Sequence, residues 1–182
     1  KPMNRASLRN EGKIHLGFVY AMDTSMETAE LQLKGALSFW PLLRQWVDSQ
    51  RGLSVSTPFH YVVADDSLLE PHDLFKHYHE LEERYRLWTL GDPELNYLGR
   101  RPQGLFNRLQ DQEIQSRYNP DIVKAVFATE EVSVSTDELA LLLRAALIES
   151  PRITLMWDHT VDRVARNSDG IRGGGAEGRG SW

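Results

Sequence analysis

Apolar residues recur at helical spacing in three stretches of this chain, which is typical of amphipathic helices. We expect the first helix from Thr24 to about Gln50, opened by a capping box of Thr24 and Glu27. Pro41 cannot donate a backbone hydrogen bond, so the helix should kink or restart there. Its apolar face comprises Ala29, Leu33, Ala36, Leu37, Trp40, Leu42, Leu43, Trp46 and Val47.

The other two helical stretches each begin at a clear start signal. Pro71 is well placed in a first helical turn, and Ser135 with Glu138 three residues later forms a second capping-box pattern. Pro151 should end that helix, and residues 106–116 permit a short one. The apolar positions of the helix from Pro71 are Leu74, Tyr78, Leu81, Tyr85 and Trp88; those of the helix from Ser135 are Leu139, Leu142, Leu143, Ala146 and Leu147.

Five short runs rich in β-branched and aromatic residues predict strands. These runs are residues 58–64, 123–127, 132–134, 153–157 and 160–165. Residues 129–131 provide a bend or bulge between the second and third runs, and residues 167–170 form a hairpin-type turn. Because helices and strands are interspersed, the fold class is α/β or mixed α+β.

The composition is that of a globular protein. Of 182 residues, 41% are hydrophobic and 26% are charged, and the net charge is −5. This charge and the lack of a basic patch with interleaved aromatics argue against nucleic-acid binding. No apolar run approaches the roughly 18 residues of a membrane span. The absence of cysteine excludes disulfides and thiolate metal sites within this chain, and a cytoplasmic location is expected.

Three histidines on the second predicted helix raise the possibility of a metal-dependent hydrolase. They are His72, His77 and His79. Residues two apart on a helix point to different sides, and no HExxH pattern occurs. A solvated face of mixed charge is the better interpretation of this helix, and no metal site is predicted.

Hydrogen-bond donors and glycines alternate between residues 6 and 21. Gly12 and Gly17 permit positive φ or close approach to a ligand, and His15 has an ordinary pKa near neutrality. An anionic oxygen could be bound here by charge-assisted bonds, as a phosphate-bearing cofactor requires. The alternative is an ordinary polar loop before a buried strand, with His15 as a core histidine. The candidate donors are Ser7, Arg9, Asn10 and Lys13.

The order of these residues resembles a known family. Ser-x-x-Asn-x-Gly-Lys-Ile-His-x-Gly-x-x-Tyr, residues 7–20, is similar to the loop after the second strand of the flavin domain in FAD-dependent oxidoreductases of the D-amino-acid oxidase group. In that family the loop lies along the FAD pyrophosphate and reaches the isoalloxazine ring. A second block, residues 129–139, resembles the end of the substrate-domain sheet, where a helix returns to the flavin domain.

The resemblance covers roughly residues 5–172 and implies a partial Rossmann-like FAD domain joined to a substrate domain. The substrate domain would have a mixed or antiparallel sheet flanked by helices. The flavin-contacting loop and long helix would occupy residues 1–50, the substrate-domain portion 51–135 and the returning helix and strands 136–172. Residues 173–182 would form a flexible glycine-rich tail. The G-x-G-x-x-G unit and the C-terminal glycine motif of the family are missing, so we expect a fragment that binds FAD weakly or not at all by itself.

The resemblance also implies residue roles. Relatives oxidise a small amine, amino acid or hydroxy acid, a small-molecule substrate, by two-electron transfer to flavin. The electron acceptor, oxygen or a quinone, is left open. His15 and Tyr20 are the implied catalytic residues. His15 would either tune the flavin ring or act as acid or base, and Tyr20 would contact the substrate. Val161 is the implied backbone partner of the adenine edge. The implied FAD-binding residues are Ser7, Arg9, Asn10, Gly12, Lys13, Ile14, His15 and Val161. The rival interpretation is a noncatalytic scaffold or interaction module with the same fold.

Overall fold

The central strand β3 (Val123–Thr129) joins the main sheet together. The computed structural model describes residues 3–48, 52–157, 159–167 and 170–178. From residue 161 onward it describes the backbone only. β1 (His60–Ala64) and β2 (Phe106–Arg108) pair antiparallel with β3 on its two sides, giving the order β1-β3-β2. In this register His60 lies opposite Ala128 and Phe106 opposite Thr129.

Five α-helices accompany this sheet in the described residues, which makes the fold mixed α+β. They are α1 (Ala6–Arg9), α2 (Glu27–Leu43), α3 (Pro71–Gly91), α4 (Asp111–Arg117) and α5 (Thr136–Glu149). One turn of 3-10 helix spans Phe18–Tyr20. A second, two-stranded antiparallel sheet is formed by β4 (His159–Asn167) and β5 (Gly170–Gly178). No helix among the described residues is long and apolar enough to cross a bilayer.

Both faces of β3 are covered, since alternate residues of a strand point to opposite sides. Ala125 and Phe127 belong to the larger apolar cluster, which α2, α3 and the Phe18 turn complete. Val126 faces the other side and packs with Leu109 and Ile114, the buried residue of α4. Aromatic rings fill the larger cluster: those of Phe18 and Phe127 lie 4.7 Å and 5.1 Å from Tyr78, in edge-to-face geometry.

The helix expected from Thr24 exists, but it starts and ends elsewhere. Its first residue is Glu27, and the Thr24–Glu27 capping box is absent. Asp23 and Ser25 supply the cap instead: Asp23 Oδ2 accepts from Thr28 N at 3.1 Å, and Ser25 Oγ accepts from Glu27 N at 3.3 Å. The helix continues through Pro41 and ends at Leu43, while residues 49–51 lie outside the described part of the chain.

Three further predicted elements, one strand and two helices, are confirmed. β1 forms within the run 58–64, and α3 begins at Pro71 as expected. α5 begins after Ser135, whose Oγ accepts from Glu138 N at 3.3 Å. The Glu138 carboxylate does not complete the capping box, because it accepts from the backbone N and the Oγ of Ser54 at 2.7 Å and 2.8 Å.

Three shorter predictions are wrong in whole or in part. Residues 106–116 divide into strand β2 and helix α4, which begins after a capping box of Gln110 and Glu113. Residues 132–134 are extended but make only isolated bridges, to Lys13 and Val55, and so are no strand of the sheet. Residues 153–157 form no strand, because they continue the turn after α5, where Ile153 N donates to Ser150 O at 3.3 Å, and gain no pairing strand.

The C-terminal strand prediction is confirmed and extended. The run 160–165 lies within β4, and residues 173–178 of the expected glycine-rich tail pair with it as part of β5. The tips of the predicted turn, residues 168 and 169, and the tail residues 179–182 lie outside the described residues. The division into domains stays a prediction.

Candidate functional site

A tight loop joins α1 to the buried Leu16, and its own side chains shape it. Asn10 Oδ1 accepts from Gly12 N at 2.8 Å, while Asn10 Nδ2 donates to Ser7 O at 3.2 Å and so closes the end of α1. Gly12 has φ of +67°, a conformation that residues with a side chain rarely adopt. Asn10 and Gly12, both expected to bind cofactor, are therefore engaged in forming the loop itself.

The loop is fixed against residues 131–134 along its length. Val134 N donates to Gly12 O at 2.9 Å, and Ile14 N donates to Val132 O at 3.0 Å. The buried Tyr97 hydroxyl joins the same two segments: it donates to Ile14 O at 2.8 Å and accepts from Val132 N at 2.9 Å. Both backbone polar groups of Ile14, another expected cofactor contact, thus bind protein atoms.

A fully buried carboxylate, Glu131, lies behind the loop. Its Oε2 accepts from Leu16 N at 2.8 Å. Its Oε1 accepts from the Tyr61 hydroxyl at 2.7 Å and lies 3.0 Å from Nδ1 of His15. Two donors and the His15 ring nitrogen thus surround a carboxylate with no exposed surface, and such contacts are how proteins accommodate a buried charge.

Burial keeps the tyrosine hydroxyls of this cluster protonated. Burial, followed by the negative charge of Glu131, raises the pKa of Tyr61 well above its ordinary value. The phenol therefore keeps its proton and donates it to the carboxylate. Burial similarly raises the pKa of Tyr97, although the Val132 N–H opposes this.

His15 lies at the boundary between this buried cluster and solvent. Its side chain is 22% exposed, and the described residues offer its Nε2 no hydrogen-bond partner. Because Leu16 and Ile14 on either side are both hydrogen-bonded through their backbones, the imidazole is held in place from the loop as well as by Glu131. The arrangement can hold a proton on Nδ1 and present Nε2 as an acceptor.

Tyr20, the second expected catalytic residue, is near His15. The two ring centroids are 6.3 Å apart in an edge-on arrangement, and Tyr20 is half-buried in the 3-10 turn. That turn follows Gly17, which has φ of +103°. The structure therefore brings the two expected catalytic residues together.

The expected phosphate donors form a less compact group. Lys13 Nζ is 3.2 Å from Glu11 Oε2 and 5.3 Å from the centre of the Phe59 ring. Arg9 is exposed in the last turn of α1, and Ser7 is half-buried in the same helix. These three side chains remain candidates for an anion, although Lys13 already has an acidic neighbour.

Val161 is placed in another sheet. It lies in β4, and its position in the register is opposite Ala176 of β5. The structure thus gives its backbone a strand partner, and a contact of Val161 with an adenine edge stays a prediction.

An apolar cleft of about 280 Å³ adjoins the cluster through Tyr61. Tyr61 has one end in the cleft and its hydroxyl on Glu131. A cleft of this lining could accept the apolar part of a small molecule next to a buried charge. Its other lining residues include Phe18, Val63, Leu74 and Tyr78.

The histidines of α3 do not form a metal site. His77 is buried, and its Nε2 donates to Gly17 O at 3.4 Å, while His72 and His79 are exposed. Burial lowers the pKa of His77, so this imidazole is neutral at pH values where an ordinary histidine is still partly charged. Among the described residues, no group of three or more His, Asp or Glu side chains is positioned to hold a metal ion.

Glu131 and Tyr61 are the site residues that the pattern of the sequence did not predict. Glu131 stands beside a second glutamate in a segment interpreted as a bend, and Tyr61 lies in a strand where an aromatic residue is ordinary. The only available signal was an acidic residue immediately before the apolar positions Val132 and Val134.

Comparison of the chain with protein-family models, with curated proteins and with solved structures yields no significant match.

Proposed function

We propose that this chain belongs to an FAD-dependent oxidoreductase that oxidises a small amine, amino acid or hydroxy acid by two-electron transfer. The observation that carries the proposal is the placement of His15, on a glycine-containing loop, between a buried carboxylate and solvent. The similarity of residues 7–20 to the flavin-contacting loop of the D-amino-acid oxidase group supplies the reaction class. A partial Rossmann-like FAD domain with a substrate domain, and a cytoplasmic location, are parts of the same proposal.

The chemistry of the loop fits a cofactor phosphate in part. Arg9, Lys13 and Ser7 would hold anionic oxygens by charge-assisted bonds. Asn10 and the backbone of Ile14 act in the loop itself, so their contribution would be to place those donors. FAD, when bound, would supply the acceptor for two electrons from the substrate.

The residues of this chain would handle the proton that leaves the substrate. His15 presents Nε2 away from Glu131, where it can accept a proton from an amine or hydroxyl group. Tyr20 would border the same space. The apolar cleft beside Tyr61 would receive the side chain of the substrate and exclude water from it.

The test is a visible absorption spectrum of the full-length protein in which this chain occurs. We expect flavin bands that bleach when one member of a panel of amines, amino acids and hydroxy acids is added. His15→Ala should lower turnover or flavin content, whereas His72→Ala, which changes an exposed histidine of α3, should leave both unchanged. A protein that stays colourless after incubation with FAD would refute the flavoenzyme proposal, and unchanged kinetics in His15→Ala would remove the role of His15.

A scaffold or interaction module is the second candidate, and one observation favours it. The apolar side of α5 is incompletely covered: Leu143 and Leu147 line an apolar cleft together with Trp46, which is 62% exposed. Leu141 and Ile148, on the opposite face of the helix, are exposed as well. An exposed apolar cleft is typical of interaction surfaces. This candidate expects a stable fold without a flavin spectrum.

A further inference from the structure

We propose that Glu131 is a positioning residue that holds His15 as the Nδ1–H tautomer, so that Nε2 is the proton acceptor of the site. The contact between Glu131 and His15 involves only residues of this chain. The identity of the group from which Nε2 accepts a proton rests on the function proposed above. The tautomer of His15 and the proposed function are tested by different measurements.

The contacts of Glu131 define its charge. Leu16 N–H, Tyr61 O–H and Nδ1 of His15 all approach its two oxygens within 3.0 Å. An ionised carboxylate accepts from all three groups at once, since each of its two oxygens has two lone pairs. We therefore assign the hydrogen between Oε1 and Nδ1 to His15.

Two of these contacts fix the carboxylate independently of His15. The Leu16 backbone holds Oε2, and the Tyr61 side chain, supported by strand β1, holds Oε1. Thr129 Oγ1 accepts from the backbone N–H of Glu131 at 3.2 Å and fixes the segment itself. The orientation of the carboxylate therefore does not depend on His15. A proton-transfer group requires a support that is held in place in this way by other contacts.

A merely structural role explains this carboxylate poorly. A buried charge contributes little net stability, and well-packed apolar residues of similar size often stabilise a core as well or better. Here the buried charge lies against the one histidine of the loop, whose Nε2 has no hydrogen-bond partner among the described residues. An imidazole held at Nδ1 by a carboxylate, with Nε2 left to accept a proton, has the geometry of a general base.

The experiment is a side-chain ¹⁵N–¹H correlation spectrum of the uniformly ¹⁵N-labelled 182-residue chain, with His15 assigned from the His15→Gln variant. In the wild type we expect one neutral tautomer, protonated at Nδ1. In Glu131→Gln we expect a mixture of tautomers, because one amide oxygen cannot serve three donors. Glu130→Gln is the matched control. Glu130 is the neighbouring residue, it is half-buried, and its Oε2 lies 3.6 Å from Nη1 of Arg100. Loss of its charge should leave the tautomer of His15 unchanged.

Each outcome decides the proposal. A wild-type His15 that is protonated at Nε2, or that already exchanges between tautomers, would overturn it without any variant being needed. An unchanged pattern in Glu131→Gln would overturn it too. Tyr61→Phe adds a variant that keeps the carboxylate, and it should retain the Nδ1–H tautomer, because His15 then has Oε1 to itself.

A second readout separates this inference from the proposed function. In the full-length protein, Glu131→Gln should lower turnover roughly tenfold to a hundredfold with flavin content unchanged, and Glu130→Gln should not. If the tautomer is as expected but the protein binds no flavin, the pairing stands and the flavoenzyme proposal fails. If flavin is present and turnover is unaffected by Glu131→Gln, the positioning role fails and the flavoenzyme proposal stands.

Discussion

Gly12 and Gly17 are required by the fold of the loop, whatever the loop binds. A Cβ on Gly12 would lie 2.2 Å from Val134 O, and one on Gly17 would lie 2.7 Å from Ala29 O. Both obstacles are backbone atoms, which cannot move aside as the end of a side chain can. The glycines that suggested close approach to a ligand are thus explained by close approach of the loop to its own chain.

Substitution of Gly12 should therefore cost stability on its own. We expect Gly12→Ala to lower the free energy of unfolding by at least about 2 kcal/mol, since positive φ and the clash with Val134 O act together. The matched control is Gly35→Ala, in α2, where an added methyl group meets nothing and alanine should stabilise the helix by about 0.5–1 kcal/mol. Urea unfolding of both variants measures the two effects, and equal changes would contradict this explanation.

His15 illustrates what residue patterns reveal about a site. Its neighbours in the sequence marked it as a candidate because donors and glycines cluster around it. Its partner Glu131 carries no such mark, because a single glutamate in a bend is indistinguishable from a solvated one until the fold buries it. Donors along one segment were predictable, whereas the carboxylate that gives His15 its orientation was not.

At the scale of the element, α2 shows why its start was misplaced. Any of the polar residues between Asp23 and Ser25 can cap a helix, and Thr24 followed by Glu27 matches the usual spacing. The backbone takes positive φ at Met26, however, so the side chains of Asp23 and Ser25 reach the first helical N–H groups instead. The sequence thus predicted a side-chain cap at the start of α2 but assigned it to the wrong residues.

The Asp23 cap should make the protein sensitive to acid. Hydrogen bonds from Ser25 and Thr28 hold the pKa of Asp23 far below its ordinary value of 3.8. Because the pKa is lowered in the folded state, the stabilising contribution is complete above the unfolded-state pKa and is lost as the pH falls below it. Asp23→Asn should accordingly destabilise the protein at about pH 7 and differ less from wild type at about pH 2.

The measurement is the urea midpoint of wild type and Asp23→Asn at both pH values. Asp66→Asn, at an exposed position in the turn after β1, is the control and should show no such difference. A stability difference between wild type and Asp23→Asn that is as large in acid as at neutrality would show that the charge of Asp23 does not act as argued.

Long periodic elements were predicted from the sequence more reliably than short ones. α3 and α5 carry several turns of apolar spacing and a recognisable start, so local information was sufficient. Residues 132–134 and 153–157 have the composition of strands, but a strand also needs a partner, which is decided elsewhere in the chain. The first run makes isolated bridges and the second pairs with no strand. The residues of the two runs alone do not predict this difference.

At the scale of the whole molecule, the described core is confined to the first three quarters of the chain. Both apolar clusters draw their buried members from Leu16 to Val132. A chain that ends at Trp157 lacks β4 and β5 but keeps every one of those residues. We expect it to unfold in urea with the same midpoint as the complete chain, whereas a chain that ends at Asp121 lacks β3 and should show no cooperative transition.

A clear fall in the urea midpoint on removal of residues 158–182 would contradict this division of stability. It would mean that β4 and β5 support the core through contacts beyond those of the two clusters. Val161, the expected adenine partner, would be removed in the same truncation. The comparison therefore also shows whether the proposed cofactor contact can be altered without damage to the rest of the fold.

The distance along the chain between His15 and Glu131 has a consequence for the order of folding. The two residues are 116 positions apart, and Tyr61 lies between them. Closing so long a loop is entropically unfavourable until other contacts have already brought its ends together. On the ribosome the imidazole emerges long before its carboxylate is synthesised. The site should therefore be among the last features to form in each molecule, and a prematurely terminated chain would never acquire it.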